Sequence, residues 1–283
     1  MDPLQLERVG LIAGRGHFPL EMCREIRRSG VPHLGVIAMN GETSPEIEAL
    51  ASRVDWFHVG QVSRAIRALK RQDIRHLLFA GQIRPGRLFH DLRPDLRTLL
   101  LLRRLKERNA ETIFGALADE FEKEGIHVLP STTYMGRSLA DAGVLGAARP
   151  TAAQWEDIRL GERIARETSR LDIGQTVVVK RGTVVAVEAF EGTDRAIRRA
   201  GSLAGKGTVV VKVAKPGHDM RFDVPCVGMG TVESLQTAES AVIALHAGRT
   251  LIIERAKVVA ALDRLKVAVV GLNIEDDSCE CIS

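Results

Sequence analysis

Short apolar or β-branched runs alternate with amphipathic segments between Arg8 and Ser131. This alternation is typical of a parallel β-sheet covered by helices. Between two of the runs, Val62 to Arg71 carries apolar residues at helical spacing, which predicts a helix. The pattern therefore predicts an α/β fold that begins with a Rossmann-like domain, its parallel sheet having helices on both faces. The predicted strands are Val9 to Ala13, Leu34 to Ala38, Trp56 to Val59, Leu77 to Ala80 and Ile126 to Leu129.

The pattern changes in residues 134–153, which combine Gly, Ala and Pro without a long period. We predict a linker there, between an N-terminal domain of residues 1–133 and a C-terminal mixed α/β domain of residues 154–283. The C-terminal elements are predicted as a helix over Trp155 to Leu171, a hairpin of Thr176 to Lys180 and Thr183 to Phe190, a strand over Val209 to Lys215, helices over Val232 to Ala247 and Glu254 to Leu265, and a final strand over Val267 to Val270.

The composition is that of an ordinary globular protein, with 45% hydrophobic and 27% charged residues and a net charge of +4. This mild charge suits an anionic ligand or an anionic membrane surface. One Tyr, two Trp and eight Phe leave little surface for stacking bases, so we expect no nucleic-acid partner. We find neither an apolar run of about 20 residues nor a secretory signal, and therefore expect a cytoplasmic protein. The four cysteines contain no C-x-x-C pair, which argues against a disulfide framework or a zinc site.

A glycine-rich turn, Gly14 to Pro19, follows the first predicted strand. Gly14 and Gly16 would let the backbone approach a phosphate, next to the amides of a helix that Pro19 could open. The third glycine of the dinucleotide fingerprint is missing, and the next strand is followed by no carboxylate for a ribose. A nicotinamide cofactor is therefore disfavoured, and phosphate contact and simple turn chemistry both remain open.

A second candidate is the segment Glu188 to Asp194, at the exit of an apolar strand. Alternation places Glu188 on one face with Ala186 and Phe190, where an unpaired charge is costly. Lys212, which lies inside another apolar strand, could form a structural ion pair with it. Alternatively, Glu188 could hold a metal and Lys212 a phosphate, and Thr193 or Asp194 could simply cap the next helix.

A third candidate is the loop Lys215 to Pro225, in which Asp219 and Asp223 lie four residues apart. Hard carboxylate oxygens suit Mg²⁺, and the cations of this loop suit phosphate oxygens. The alternative is a solvated loop in which Asp219 makes an Asx turn.

A fourth segment, Leu92 to Arg108, is rich in Leu and Arg. Its pattern predicts either a helix that contacts lipid or a surface helix with its leucines in the core.

Taken in order, these motifs resemble one family. They are Gly10 to Pro19, Asp172 to Gln175, Glu188 to Asp194 and Lys215 to Pro225, followed by Gly228 and Thr231. The family is the metal-dependent UDP-2,3-diacylglucosamine pyrophosphatases of lipid A synthesis, the type unrelated to calcineurin-like phosphoesterases. The resemblance extends from Gly10 to Gly271.

The resemblance implies an enzyme that hydrolyses the diphosphate of UDP-2,3-diacylglucosamine with Mg²⁺ (or Mn²⁺) and water, giving 2,3-diacylglucosamine 1-phosphate and UMP. It also implies two domains that hold the lipid ligand between them, a homodimer, and peripheral contact with the inner membrane. Asp223 matches the essential aspartate of the family and is the first catalytic candidate, together with Lys212. The metal candidates are Asp223, Asp219 and Glu188, and the substrate-binding candidates are Gly14, Gly16, Gly192, Thr193, Lys215, Gly228 and Thr231.

Some positions depart from the family pattern. Arg108-Asn109-Ala110 stands where many members carry Gly-Asp-Asp, so no role of those acids is transferred to this chain. His218 replaces the commoner Gln, and Glu254 the commoner Asp. A non-catalytic nucleotide- or glycolipid-binding protein of the same fold is the alternative function.

Overall fold

The computed structural model describes residues 6–82, 93–105, 110–215, 219–222 and 224–273. Their contacts divide them into two compact units. The first unit takes the described residues up to Gly136, together with the segment 219–222; the second takes the others from Arg137 onward. The division falls inside the segment predicted as a linker. The segment 219–222, however, does not belong with the predicted C-terminal domain.

The first unit is built on a five-stranded sheet in the order β3-β2-β1-β4-β5, and all of its pairings are parallel. This order is that of a Rossmann-like sheet. The sequence prediction of this fold is confirmed. The strands are β1 (Arg8–Ala13), β2 (His33–Met39), β3 (Arg53–Phe57), β4 (His76–Ala80) and β5 (His127–Val128).

Helices cover both faces of this sheet. The helices are α1 (Phe18–Arg28), α2 (Val62–Arg71), α3 (Leu96–Arg104) and α4 (Ala110–Glu122). On one face, Ile37 and Phe79 pack against Ile66 of α2 and Phe121 of α4. Helix α1 packs on β2 and β4 with side chains that are not part of this core, and so covers the other face.

The second unit is built on a six-stranded mixed sheet in the order β6-β13-β11-β9-β7-β8. Strands β9, β11 and β13 are parallel, whereas β6, β7 and β8 pair antiparallel with their neighbours. The strands are β6 (Gly143–Val144), β7 (Thr176–Lys180), β8 (Thr183–Val187), β9 (Val209–Lys212), β11 (Val242–His246) and β13 (Ala268–Leu272), and β10 (Cys226–Val227) pairs separately with β12 (Leu251–Ile252).

Each face of the second sheet has its own core, because successive residues of a strand point to opposite faces. Helix α5 (Ala152–Arg170) packs on the face that contains Val211. Helices α6 (Thr193–Ala204), α7 (Met229–Thr237) and α8 (Arg255–Arg264) pack on the face that contains Val210. Lys212 follows two residues after Val210 and therefore faces α6.

The predicted helix over Val232 to Ala247 is wrong. Helix α7 ends at Thr237, Glu239 adopts a left-handed conformation, and Val242–His246 forms the central strand β11. Because β11 is buried on both faces, its sequence is a continuous apolar run with no period-2 alternation. Such a run resembles a buried helix, and only its length separates the two.

The hairpin after α5 forms as predicted, with its turn at Arg181 and Gly182. Its second strand ends at Val187, however, and Phe190 is fully exposed. None of the helices in the described part of the chain is long and apolar enough to cross a bilayer.

Candidate functional site

Four polar side chains of the second unit converge at the carboxyl edge of β9. Lys212 ends β9, and its antiparallel partner Thr176 begins β7. Glu188 follows the end of β8, which returns antiparallel to the same edge. Thr193 opens helix α6 a few residues later. The carboxyl edge of parallel strands is where α/β sheets bind their ligands.

Lys212 is a buried cation, only 5% exposed. Its Nζ donates to Thr193 Oγ1 at 2.7 Å. Of the described residues, Thr193 is the one that accepts a hydrogen bond from this ammonium. An ammonium has three N–H donors, so two remain for a ligand or water.

Glu188 is also buried, 8% exposed, and shares its face with Ala186 as predicted. Its backbone N–H donates to the Thr176 carbonyl at 2.8 Å, and its Oε1 accepts from Thr193 Oγ1 at 2.9 Å. Its Oε2 is buried without a partner among the described residues. No direct ion pair joins this carboxylate to Lys212, because Thr193 lies between the two charges.

Two helices begin beside this cluster. Helix α6 begins after Gly192, whose φ is +82°, and α7 begins after Gly228. Neither glycine can cap its helix with a side chain. A Cβ built on Gly230 would lie 3.4 Å from Asp194 Oδ2, so the first turns of α6 and α7 are adjacent. Their free N–H groups and helix dipoles favour an anion at this edge.

The other predicted residues of this unit lie around the same edge. Thr231, in the first turn of α7, is buried. Lys215, beyond the end of β9, forms an ion pair with Asp172 at 3.1 Å. Gln175 Oε1 and Asp194 Oδ1 are buried without partners in the described part of the chain. Since buried acceptors are normally satisfied, such atoms mark places for water or a ligand.

His246 is a candidate that the sequence analysis did not single out. It ends β11, next to β9, but its side chain lies on the α5 face and is nearly inaccessible. Its Nδ1 accepts from the Ala214 N–H at 3.2 Å, so the ring proton lies on Nε2, 3.3 Å from Glu162 Oε1. A lone histidine in an apolar run offered no spacing signal that could have found this pair.

Asp219, a predicted metal ligand, belongs to the first unit. Its carboxylate forms an ion pair with Arg221. Arg221 Nε lies 2.9 and 3.0 Å from the two carboxylate oxygens, and Nη2 lies 2.6 Å from Oδ2. The Arg221 N–H also donates to Oδ1 at 3.1 Å, as in the Asx-turn alternative. These hydrogen bonds lower the pKa of Asp219 despite its partial burial. Asp223 lies outside the described residues.

The Gly14 turn forms backbone hydrogen bonds of the kind expected for simple turn chemistry, and phosphate contact at Gly14 and Gly16 stays a prediction. The Gly14 N–H donates to the Ala80 carbonyl, and the Arg15 N–H to the Gln82 carbonyl, both at 2.8 Å. A Cβ on Gly14 would lie 2.5 Å from the Gln82 oxygen, so glycine is required for this close backbone approach. Gly16, with φ of +94°, faces open space. The amides of Gly14 and Arg15 are thus used within the sheet edge.

Comparison with known proteins identifies relatives over nearly the whole chain. The family model described as the LpxI N-terminal domain matches residues 8–138, and the LpxI C-terminal domain matches residues 141–270. A curated protein of Caulobacter vibrioides, UDP-2,3-diacylglucosamine pyrophosphatase LpxI, is 32% identical over 283 residues. That alignment covers 96% of this chain and 99% of the relative.

Solved structures give a weaker comparison. The urea carboxylase of Kluyveromyces lactis is 13% identical with a TM-score of 0.28, over 60% of this chain and 12% of that protein. A phosphoribosylglycinamide synthetase from Anaerococcus prevotii is 11% identical with a TM-score of 0.27, over 66% of this chain and 40% of that protein. The chain thus spans less than half of each, and scores this low support no functional argument.

Proposed function

This chain belongs to the LpxI family, and we propose that it is a pyrophosphatase that hydrolyses UDP-2,3-diacylglucosamine to 2,3-diacylglucosamine 1-phosphate and UMP. In this reaction water adds to one phosphorus and the P–O bond of the anhydride breaks. The observation that carries the proposal is the buried ammonium of Lys212 beside the first turns of α6 and α7.

The charges at this edge suit a diphosphate. Phosphoryl transfer is catalysed mainly by positioning and by neutralising phosphate oxygens. In our proposal the two remaining N–H groups of Lys212 bind those oxygens, and the backbone amides that follow Gly192 and Gly228 bind others. Burial strengthens each of these interactions, because little water competes for the ammonium.

The metal is a separate part of the proposal. The resemblance implies Mg²⁺ or Mn²⁺, with Asp223 as its first ligand. The described residues do not form a metal site by themselves: they contain no group of at least three His, Cys, Asp or Glu side chains suited to an ion. Both oxygens of Asp219 are engaged by Arg221, and Glu188 has only Oε2 to offer. The steps described here therefore depend on Lys212 and the helix amides alone.

Helix α3 is the proposed contact with the membrane that contains the substrate. Leu96, Leu99 and Leu100 are 73%, 44% and 45% exposed, and they share one helix face with Arg103. Leu101 is buried, as expected for a surface helix packed on the unit. A stripe of exposed leucines beside arginines suits peripheral binding to anionic lipid.

The resemblance also implies a homodimer. Light scattering of the purified protein tests this oligomeric state.

Incubating the purified protein with UDP-2,3-diacylglucosamine, with and without Mg²⁺, tests the proposed reaction directly. We expect UMP and the lipid 1-phosphate to appear in equal amounts, and only with the metal present. Tight substrate binding without UMP release would favour the alternative, a non-catalytic binding protein. A matched assay of Lys212→Ala tests the role of the ammonium, and we expect turnover to fall by roughly 100-fold or more.

A further inference from the structure

We infer that Glu188 is a positioning residue, which orients the Lys212 ammonium through the hydroxyl of Thr193 and is not a ligand of the metal. The inference rests on the proposed function, because it assigns Glu188 a positioning role within the same site. Its basis is the hydrogen-bond pattern around Thr193 Oγ1, which meets three polar groups: Lys212 Nζ at 2.7 Å, Glu188 Oε1 at 2.9 Å and Thr176 Oγ1 at 3.3 Å.

The direction of each hydrogen bond follows from the chemistry of the groups. An ammonium can only donate and a carboxylate can only accept. The Thr193 hydroxyl therefore accepts from Lys212 and gives its single proton to Glu188. Thr176 must then donate its own proton to the second lone pair of Thr193. These three hydrogen bonds use the one donor and both lone pairs of the Thr193 hydroxyl.

A saturated hydroxyl cannot bind substrate. The predicted substrate-binding role of Thr193 is thus limited to its backbone amide, in the first turn of α6. What the side chain does instead is hold Nζ at a fixed point, with its own orientation fixed by Glu188. The two free N–H bonds of Lys212 consequently point in set directions before any ligand arrives, which is the preorganisation that phosphate binding requires.

The burial of both charged ends supports this role. Lys212 and Glu188 lie on the same face as Ala186, Val210 and Ile197, in the apolar core beneath α6. An unpaired charge there would be costly, and the hydroxyl lets the two opposite charges offset each other without direct contact. A divalent cation on Glu188 Oε2 would have to share this small region with the ammonium, which repels it.

A double-mutant cycle tests the inference in the full-length protein. The variants are Thr193→Val, Thr193→Ser, Glu188→Gln and the combination of Thr193→Val with Glu188→Gln, each assayed for kcat, KM and the Mg²⁺ concentration that gives half-maximal rate. Glu191→Gln is the matched control, since Glu191 carries the same charge nearby but is paired with Arg199 on the surface.

We expect Thr193→Val to lower kcat by roughly 10- to 100-fold, because misplacement of a binding group by about 1 Å has effects of this size. Thr193→Ser, which keeps the hydroxyl, should remain within about threefold of the wild type. Glu188→Gln should lower kcat by about three- to tenfold, because the charge-assisted hydrogen bond is lost, with half-saturation by Mg²⁺ unchanged. In the Thr193→Val background, Glu188→Gln should cause no further loss, because its effect passes through the missing hydroxyl.

Three results would overturn the inference: multiplicative losses in the double variant, a tenfold or larger rise in the Mg²⁺ requirement of Glu188→Gln, or wild-type kcat in Thr193→Val. If Thr193→Val does not fold, as judged by circular dichroism, the Mg²⁺ requirement and kcat of the near-isosteric Glu188→Gln decide the matter. Lys212→Ala distinguishes a failure of the proposed function from a failure of the positioning role of Glu188. If that variant keeps normal turnover, the proposed role of the ammonium in the reaction is wrong. If it is inactive while Thr193→Val is normal, only the positioning role of Glu188 and Thr193 is wrong.

Discussion

Asp219 and Arg221 form a fork, with Nη2 of the guanidinium 2.6 Å from Oδ2 of the carboxylate and Nε within 3.0 Å of both oxygens. A carboxylate held in this way has little capacity left for an ion.

We therefore predict that Asp219→Asn leaves the Mg²⁺ dependence of turnover unchanged within about threefold, since the side chain is engaged by Arg221 and not by the metal. Titrating Mg²⁺ against the initial rate of UMP release measures this. Arg221→Lys is the matched variant, because it keeps the charge but not the fork. A shift of tenfold or more in the Mg²⁺ requirement of Asp219→Asn alone would identify Asp219 as a ligand.

Asp223→Ala should retain the substrate and lose hydrolysis by several orders of magnitude, on the resemblance that makes Asp223 the essential aspartate. Equilibrium binding of UDP-2,3-diacylglucosamine and single-turnover UMP release measure the two properties separately. A near-normal rate in purified Asp223→Ala protein would contradict this assignment. EDTA should abolish turnover of the wild type and leave little residual rate to lose in the variant.

Asp95 should contribute stability that depends on pH. It caps α3, accepting from the Thr98 N–H at 2.9 Å and from the Ser63 N–H at 2.6 Å. Burial alone would raise the pKa of Asp95, but these hydrogen bonds outweigh it and lower the pKa. A lowered folded-state pKa means that the contribution is complete above the unfolded pKa of about 3.9 and is lost as the pH falls through the folded value.

Asp95→Ala should thus lower the free energy of unfolding by about 1 kcal/mol at pH 7, the usual value for loss of an N-cap. Urea denaturation at pH 7 and at pH 3 measures the effect. The difference between wild type and variant should shrink at the lower pH. An equal difference at both values would show that the carboxylate charge plays no part.

Leu99→Asp combined with Leu100→Asp should reduce cosedimentation with vesicles that contain anionic lipid, because two exposed apolar contacts on α3 are replaced by negative charges. Leu203→Asp is the control, because Leu203 is a leucine of the second unit that is even more exposed, at 68%, than Leu99 and Leu100. Charge reversal at Arg103 and Arg104 should weaken binding to anionic vesicles more than to neutral ones. Binding unchanged by both sets of substitutions would exclude α3 as the contact.

Much of the fold could be predicted from local pattern, and the exceptions have a common cause. Val62–Arg71 and Thr176–Lys180 were predicted with their observed ends, because an amphipathic stripe and a short apolar run bounded by turn residues are local signals. Val242–His246 was not, because burial on both faces removes the alternation that distinguishes a strand. In that segment tertiary packing, which the sequence pattern does not display, determined the structure.

In the candidate site, too, some features could be predicted from local pattern and others could not. The alternation that places Glu188 beside Ala186 could be predicted, since it needs only the period of a strand. The bridging position of Thr193 could not, because it depends on how α6 leaves the sheet above Lys212. The hydrogen bonds between Arg221 and Asp219 could not be predicted either, because two opposite charges that lie two residues apart in the sequence can also be solvated separately.

The grouping of segment 219–222 with the first unit has a consequence for how that unit can be made. Met220 accepts from the Ser131 N–H at 2.7 Å, Ser131 Oγ lies 2.6 Å from the Arg221 carbonyl, and Phe222 stacks on Phe114 with ring centroids 6.0 Å apart. A polypeptide that stops at Gly136 would leave the ring face of Phe114 and the N–H of Ser131 to the solvent. Protein fragments or chimaeras designed to keep these contacts of the first unit must therefore include residues 219–222 as well.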